Sequence, residues 1–178
     1  MSAMEIVSPQ DREVWQRGPV ENVPPLLQPV AHALLQVGEE LDRYMRDFPS
    51  EGLWVRPAGV ASLGFHIMHI AGVIDRLFTY ARGESLSSKQ LKELAAEKEV
   101  PSELVDPAEL VAIVHRRIEE SIDQLKNTLE SSLTQPRELG RKKLPTTVIG
   151  LLFHAAEHAQ RHLGQLLVTA RIVRVNQR

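Results

Sequence analysis

Hydrophobic positions recur three and four residues apart over four long stretches of the chain, the spacing of a single buried face on an α-helix. In the first, PPLLQPVAHALLQVGEELDRYMRDF from Pro24, the stripe is Leu27, Val30, Leu34, Val37, Leu41 and Tyr44, and Pro49 with Gly52 ends it. The second is predicted from Ser62, whose hydroxyl suits an N-cap, to about Arg82, with Gly83 as the stop. Asp106 before Pro107 forms an N-cap and first-turn pair that opens a third helix over about 107–130, with Leu110, Val114, Ile118, Ile122, Leu125 and Leu129 on its apolar side. Thr146 or Thr147 opens the fourth, VIGLLFHAAEHAQRHLGQLLVTARIV, which is nearly apolar apart from its histidines, Glu157, Gln160, Arg161 and Gln165.

The connections are polar. Residues 1–22 read as an N-terminal arm anchored by Trp15, leaving 23–178 as the domain. GLWVRPAG reads as a loop with an exposed Trp54, SSKQLKELAAEKE as a short surface helix between the second and third helices, and the stretch holding Pro136, Gly140 and Pro145 as a loop. No strand-like alternation is seen. The fold class is therefore all-α, a four-helix bundle with a short extra helix between helices two and three, and bundles build ligand and metal sites from facing helices.

Composition narrows the function. A chain of 178 residues, 43% hydrophobic and 25% charged, fits one globular domain. A formal net charge of -2 supplies no basic field for nucleic acid. The absence of cysteine excludes disulfides, iron–sulfur clusters, thiolate zinc sites and Cys nucleophiles, so any metal must be held by His, Asp or Glu. No basic N-terminal region with an apolar run and no stretch of about 18 uninterrupted apolar residues is present, so a cytoplasmic protein without a membrane partner is expected.

Five of the seven histidines cluster: His66 and His69 on the second helix, His154, His158 and His162 on the fourth. Steps of four keep the last three on one helical stripe, where neighbours can chelate one ion. Several imidazoles on an apolar helix each need a polar partner, and a cation serves several at once. HAAEH, residues 154–158, matches the H-x-x-E-H inverzincin pattern over five residues, but another histidine follows where those enzymes differ. H-E-x-x-H fails because residues 158–162 read HAQRH, and a di-iron bundle fails because no His has a Glu three residues before it. His32 and His115 read as packing or surface residues, Asp75 and Arg76 as salt-bridge formers, and Gly72 and Gly164 as points of close helix approach.

The segments SLGFHIMHIAGVIDRLFTYARG and HAAEHAQRHLGQLL resemble the DinB-like family of bacterial four-helix-bundle metalloproteins, over about residues 25–172. The family's histidine on helix two falls on His69, and its His-x-x-x-His-x-Gly-Gln on His158, His162, Gly164 and Gln165. The resemblance implies an up-down-down-up bundle, a homodimer, and a divalent ion, nickel or zinc, held by His69, His158 and His162 with a position open to water. His66 and His154 stay as further candidates for ligation, for bonding to a metal-bound water, or for packing. Gln165 suits either the site or an interhelical bond.

Relatives of this bundle include S-transferases that use low-molecular-weight thiols. Two chemistries therefore fit: transfer to such a thiol, or hydrolysis of a small molecule, with no residue assigned as catalytic. The alternatives are a non-catalytic metal-binding stress-response module and a metal-free dimeric interaction protein.

Overall fold

The structure is a computed structural model and describes residues 12–176. Five α-helices are found: α1 Gln28–Met45, α2 Leu63–Ala81, α3 Ser88–Ala96, α4 Pro107–Lys126 and α5 Val148–Asn176. Each of α1 and α2 packs against both α4 and α5. The core between them is aliphatic, with Leu34 and Leu41 from α1, Ile67, Ile70 and Ile74 from α2, Leu125 from α4, and Leu152 and Leu163 from α5 among its buried residues.

Side chains fix where the helices begin and end. Ser62 Oγ accepts from Phe65 N at the start of α2, Asp106 Oδ1 accepts from Ala108 N at the start of α4, and Thr147 Oγ1 accepts from Gly150 N at the start of α5. Such caps contribute about 1 kcal/mol each. The third long helix ends at Lys126, earlier than the apolar stripe predicts. Asn127 Nδ2 donates to Asp123 O and Thr128 Oγ1 to Gln124 O, so side chains satisfy the last carbonyls and Leu129 is left 72% exposed.

Three other expectations are corrected. The segment read as a loop holds an antiparallel hairpin, β1 Pro136–Leu139 with β2 Leu144–Thr147, in the register Pro136↔Thr147 to Leu139↔Leu144. Its prolines hide it in the sequence, yet a two-stranded ribbon is all edge and tolerates them. The ribbon ties the histidine helices together. Arg137 Nε donates to Ala81 O at the end of α2, while Val148 N and Ile149 N donate to Gln135 O and Leu133 O at the start of α5.

In the arm, Trp15 is 61% exposed and does not act as the anchor. Val14 is buried and donates its N–H to Gln36 Oε1, and Arg17 pairs with Glu39 at 2.6 Å. Residues 1–11 of the predicted arm lie outside the described residues. Trp54 is half-buried rather than exposed, because its six-membered ring lies over Gly64.

By length and mean hydropathy the helical segment Pro57–Ala81 is apolar enough to cross a membrane. Its apolar face is accounted for by the packing of α2 on α4 and α5.

Candidate metal centre

Helices α2 and α5 face each other and bring four of the five clustered histidines into contact. Residues 66 and 69 are one turn apart on α2, and 158 and 162 one turn apart on α5, so each helix presents two imidazoles to the other. His69 Nε2 lies 3.0 Å from His158 Nε2. His66 Nδ1 lies 2.9 Å from His162 Nδ1. One ring nitrogen from each of His69, His158 and His162 falls within a sphere where all lie within 4.8 Å of one another.

The hydrogen bonds decide which nitrogens face the centre. His69 Nδ1 donates to Glu97 Oε2 at 2.8 Å, which leaves the Nε2 lone pair of the neutral ring aimed at His158. His162 Nδ1 is engaged by His66 and leaves its Nε2 free as a potential metal donor. His158 Nδ1 is buried and has no hydrogen-bond partner among the described residues. If it carries the proton, His158 Nε2 and His69 Nε2 present two lone pairs to each other at 3.0 Å, an arrangement that calls for a cation between them.

The distances suit that cation. Nitrogens bound tetrahedrally at about 2.0–2.1 Å from a zinc ion stand about 3.3 Å apart, so the pair needs to open by only a few tenths of an ångström. The donor set is all imidazole, which accommodates zinc, nickel, copper and iron.

Burial favours the neutral form of His66, His158 and His162. Burial, then the neighbouring His69, lowers the His66 pKa to about 4, and the same causes with His158 and His66 added lower that of His162 to about 4. His158 is also lowered, by burial first and by His69 and His154 after it. Neutral imidazoles are the form that binds a metal.

Glu97 is the residue that sequence reasoning missed. It caps the C-terminus of α3, is buried, and reaches α2 with both oxygens, one to His69 and one to the Arg76 guanidinium. Burial raises the carboxyl's pKa, but donation from His69 and Arg76 outweighs it and leaves the group below its ordinary value. A carboxylate behind a histidine fixes the tautomer and orientation of a metal ligand.

Gly72 accommodates this pair, since a Cβ there would collide with the Glu97 carboxylate and the Arg76 guanidinium. A glycine in mid-helix three residues past His69 was the available sequence signal. Asp75, by contrast, pairs with Arg117 of α4 at 3.4 Å and accepts from Gln90 Nε2, an interhelical role.

The other candidates fall elsewhere. His154 is half-exposed and donates through Nδ1 to Glu157 Oε1 at 2.6 Å, while Glu157 also accepts from Arg161. His154, Glu157 and His158 form a second group with ligand atoms within 4.8 Å, sharing His158 with the first. His115 bonds Asp42 and His32 bonds Gly18 O, both away from the cluster. Gln165 is exposed. Gly164 has open space where a Cβ would stand, so it makes no close approach within the chain.

A family profile described as the DinB superfamily matches residues 33–166. The chain belongs to the DinB superfamily. The matched span runs from α1 to α5 and takes in all five clustered histidines and Glu97. Among solved structures, the chain is similar to a conserved protein from Enterococcus faecalis, with 19% identity and a TM-score of 0.64 over 83% of this chain and 96% of that one. At that identity the likeness shows the fold alone. No curated protein matches. Within the DinB superfamily frame, the centre is thus an imidazole cluster on two helices, braced by His66 on one side and Glu97 on the other.

Proposed function

We propose that this DinB superfamily member is a metal-dependent enzyme in which His69, His158 and His162 hold one divalent ion, nickel or zinc, and leave a position for water or substrate. The observation that carries the reading is the convergence of these three rings, with the Nε2 atoms of His69 and His158 3.0 Å apart. An ion so held supplies Lewis-acid chemistry, lowering the pKa of a bound water toward about 7 or holding a thiolate for transfer. Within the chain, Glu97 keeps the His69 ring oriented, His66 keeps the His162 ring oriented, and Phe65 shields one side of both.

The substrate is a small molecule, handled either by hydrolysis or by transfer to a low-molecular-weight thiol. The contacts of α1 and α2 with α4 and α5 support the up-down-down-up bundle, and the net charge of -2 supports a protein without a nucleic-acid partner. Exposed Phe153, Val168, Ile172 and Val175 on α5 support a homodimer, with Gly164 giving a second helix room to approach.

A second reading, a non-catalytic metal-binding stress-response module, is favoured by the His154–Glu157–His158 group, because a ligand from it would close the open position. Elemental analysis of the purified chain tests both. About one nickel or zinc per chain, lost in His69→Ala, His158→Ala and His162→Ala but kept in His32→Ala and His154→Ala, supports the enzyme reading. Loss in His154→Ala as well favours the closed site, and absence of metal after reconstitution refutes both.

A further inference from the structure

Beside the metal centre lies a cavity of ≈ 280 Å³ whose walls include Trp54, Phe65 and Val100, with Arg56 and Lys98 as its cations. We propose that this cavity, on the opposite face of Phe65 from the histidines, binds a small organic anion with a flat apolar body. The cavity shares Phe65 and Glu97 with the histidine centre but is lined by no histidine, so the inference goes beyond the metal-dependent reading and stands apart from it.

Position comes first. Phe65 is the partition between cavity and centre. Its ring stacks on His69 with centroids 5.3 Å apart and planes 11° apart, and stands 6.3 Å from His162. Glu97 lines the cavity and donates orientation to His69 from the same wall. A molecule seated against Phe65 therefore lies behind His69, with the Phe65 ring between it and the imidazole.

The walls choose an aromatic or similarly flat body. Trp54 is pinned, because its ring carbons stand where a Cβ on Gly64 would be, at 2.6 to 2.8 Å. Two rigid rings from Trp54 and Phe65 offer contact area at little entropic cost.

The charges choose an anion. Arg56 is held by its own turn, donating to Gly59 O and Val60 O, and that turn is folded back by two left-handed residues, Ala58 at φ 50° and Gly59 at φ 78°. A non-glycine residue in that region is strained, and here the strain sets a cation in place. Lys98 is exposed and lines the same cavity. Ala61, Ser62 and Phe65 bring the N-terminus of the long helix α2 to the same cavity, adding positive potential. The Glu97 carboxylate does not oppose this, since the Arg76 guanidinium neutralises it.

The test is calorimetric titration of the full chain, metal-loaded and metal-stripped, with 2-naphthoate and its neutral isostere 2-naphthamide. The stripped protein isolates the cavity from direct ligation. One 2-naphthoate per chain is expected, bound about tenfold tighter than the amide in the stripped protein, consistent with two charge-assisted contacts. Arg56→Gln with Lys98→Gln is expected to abolish that preference while leaving metal content unchanged, and Lys126→Gln to leave it intact. Equal binding of acid and amide, or a preference that survives the double substitution, overturns the proposal. Metal bound without anion preference sinks the pocket alone. Anion preference in a chain that never binds metal sinks the metal reading and keeps the anion site.

Discussion

His69 and Glu97 meet at 2.8 Å, although 28 positions separate them, because the capped end of α3 folds back onto the second turn of α2. The same carboxylate holds the buried Arg76, so one residue orients a ligand and neutralises a cation. Glu97→Gln keeps the shape and removes the charge. Metal affinity is expected to fall about 10- to 100-fold, measured by competition with a chromophoric chelator. Glu97→Leu additionally strands Arg76 and is expected to lower stability by about 3–5 kcal/mol in urea unfolding. Unchanged affinity in the Gln variant refutes the orienting role.

His66 stands one turn from His69 yet faces His162 instead. It is 3% exposed and is not among the three rings whose nitrogens converge, so in the proposed site it braces His162 rather than holding the ion. His66→Ala is therefore expected to keep about one ion per chain with weakened affinity, whereas His162→Ala loses the ion. Elemental analysis after equal dialysis separates the two. Complete loss in His66→Ala makes it a ligand.

The long helices were legible because burying one face imposes a 3.6-residue period, and the stripes of Leu34–Leu41 and Ile118–Leu125 obey it. Steps of four likewise placed His154, His158 and His162 on one stripe, while the choice of His69, His158 and His162 among the five came from the family resemblance. Glu97 was not legible. It sits in LKELAAEKE, where Glu93 and Glu99 have the same local pattern, and tertiary packing alone turns one of the three inward. The hairpin was hidden by Pro136 and Pro145, and the early end of α4 by side-chain caps on its carbonyls that leave no trace in an apolar stripe.

Gly72 carried a signal whose meaning only the structure supplies. A methyl group there meets the Glu97 carboxylate and the Arg76 guanidinium rather than another helix. Helix propensity alone would make Gly72→Ala stabilising by about 1 kcal/mol. Displacing a buried ion pair opposes this, and the net result is expected to be destabilisation of about 1–3 kcal/mol with weaker metal binding. Thermal unfolding and the chelator competition check it together. A more stable variant with full metal affinity shows that the Glu97–Arg76 pair tolerates displacement.

Acid sensitivity follows from the buried imidazoles. In the folded, metal-free chain His66 and His162 titrate at about 4, while in the unfolded chain a histidine titrates near 6.5. Between these values the unfolded state binds more protons, so stability rises with pH across the window. The contribution is complete above about pH 6.5 and is lost as pH falls toward 4, the direction set by burial and by neighbouring His69. Metal binding deepens the dependence, since protons compete for the same nitrogens. The metal-stripped protein is expected to lose Tm steadily between pH 7 and pH 4.5, and His66→Leu, which removes one of the two groups, to show a shallower slope. A flat Tm over that range means that the rings are hydrated or protonated in the folded chain, and the neutral cluster that a divalent ion requires is then not preformed.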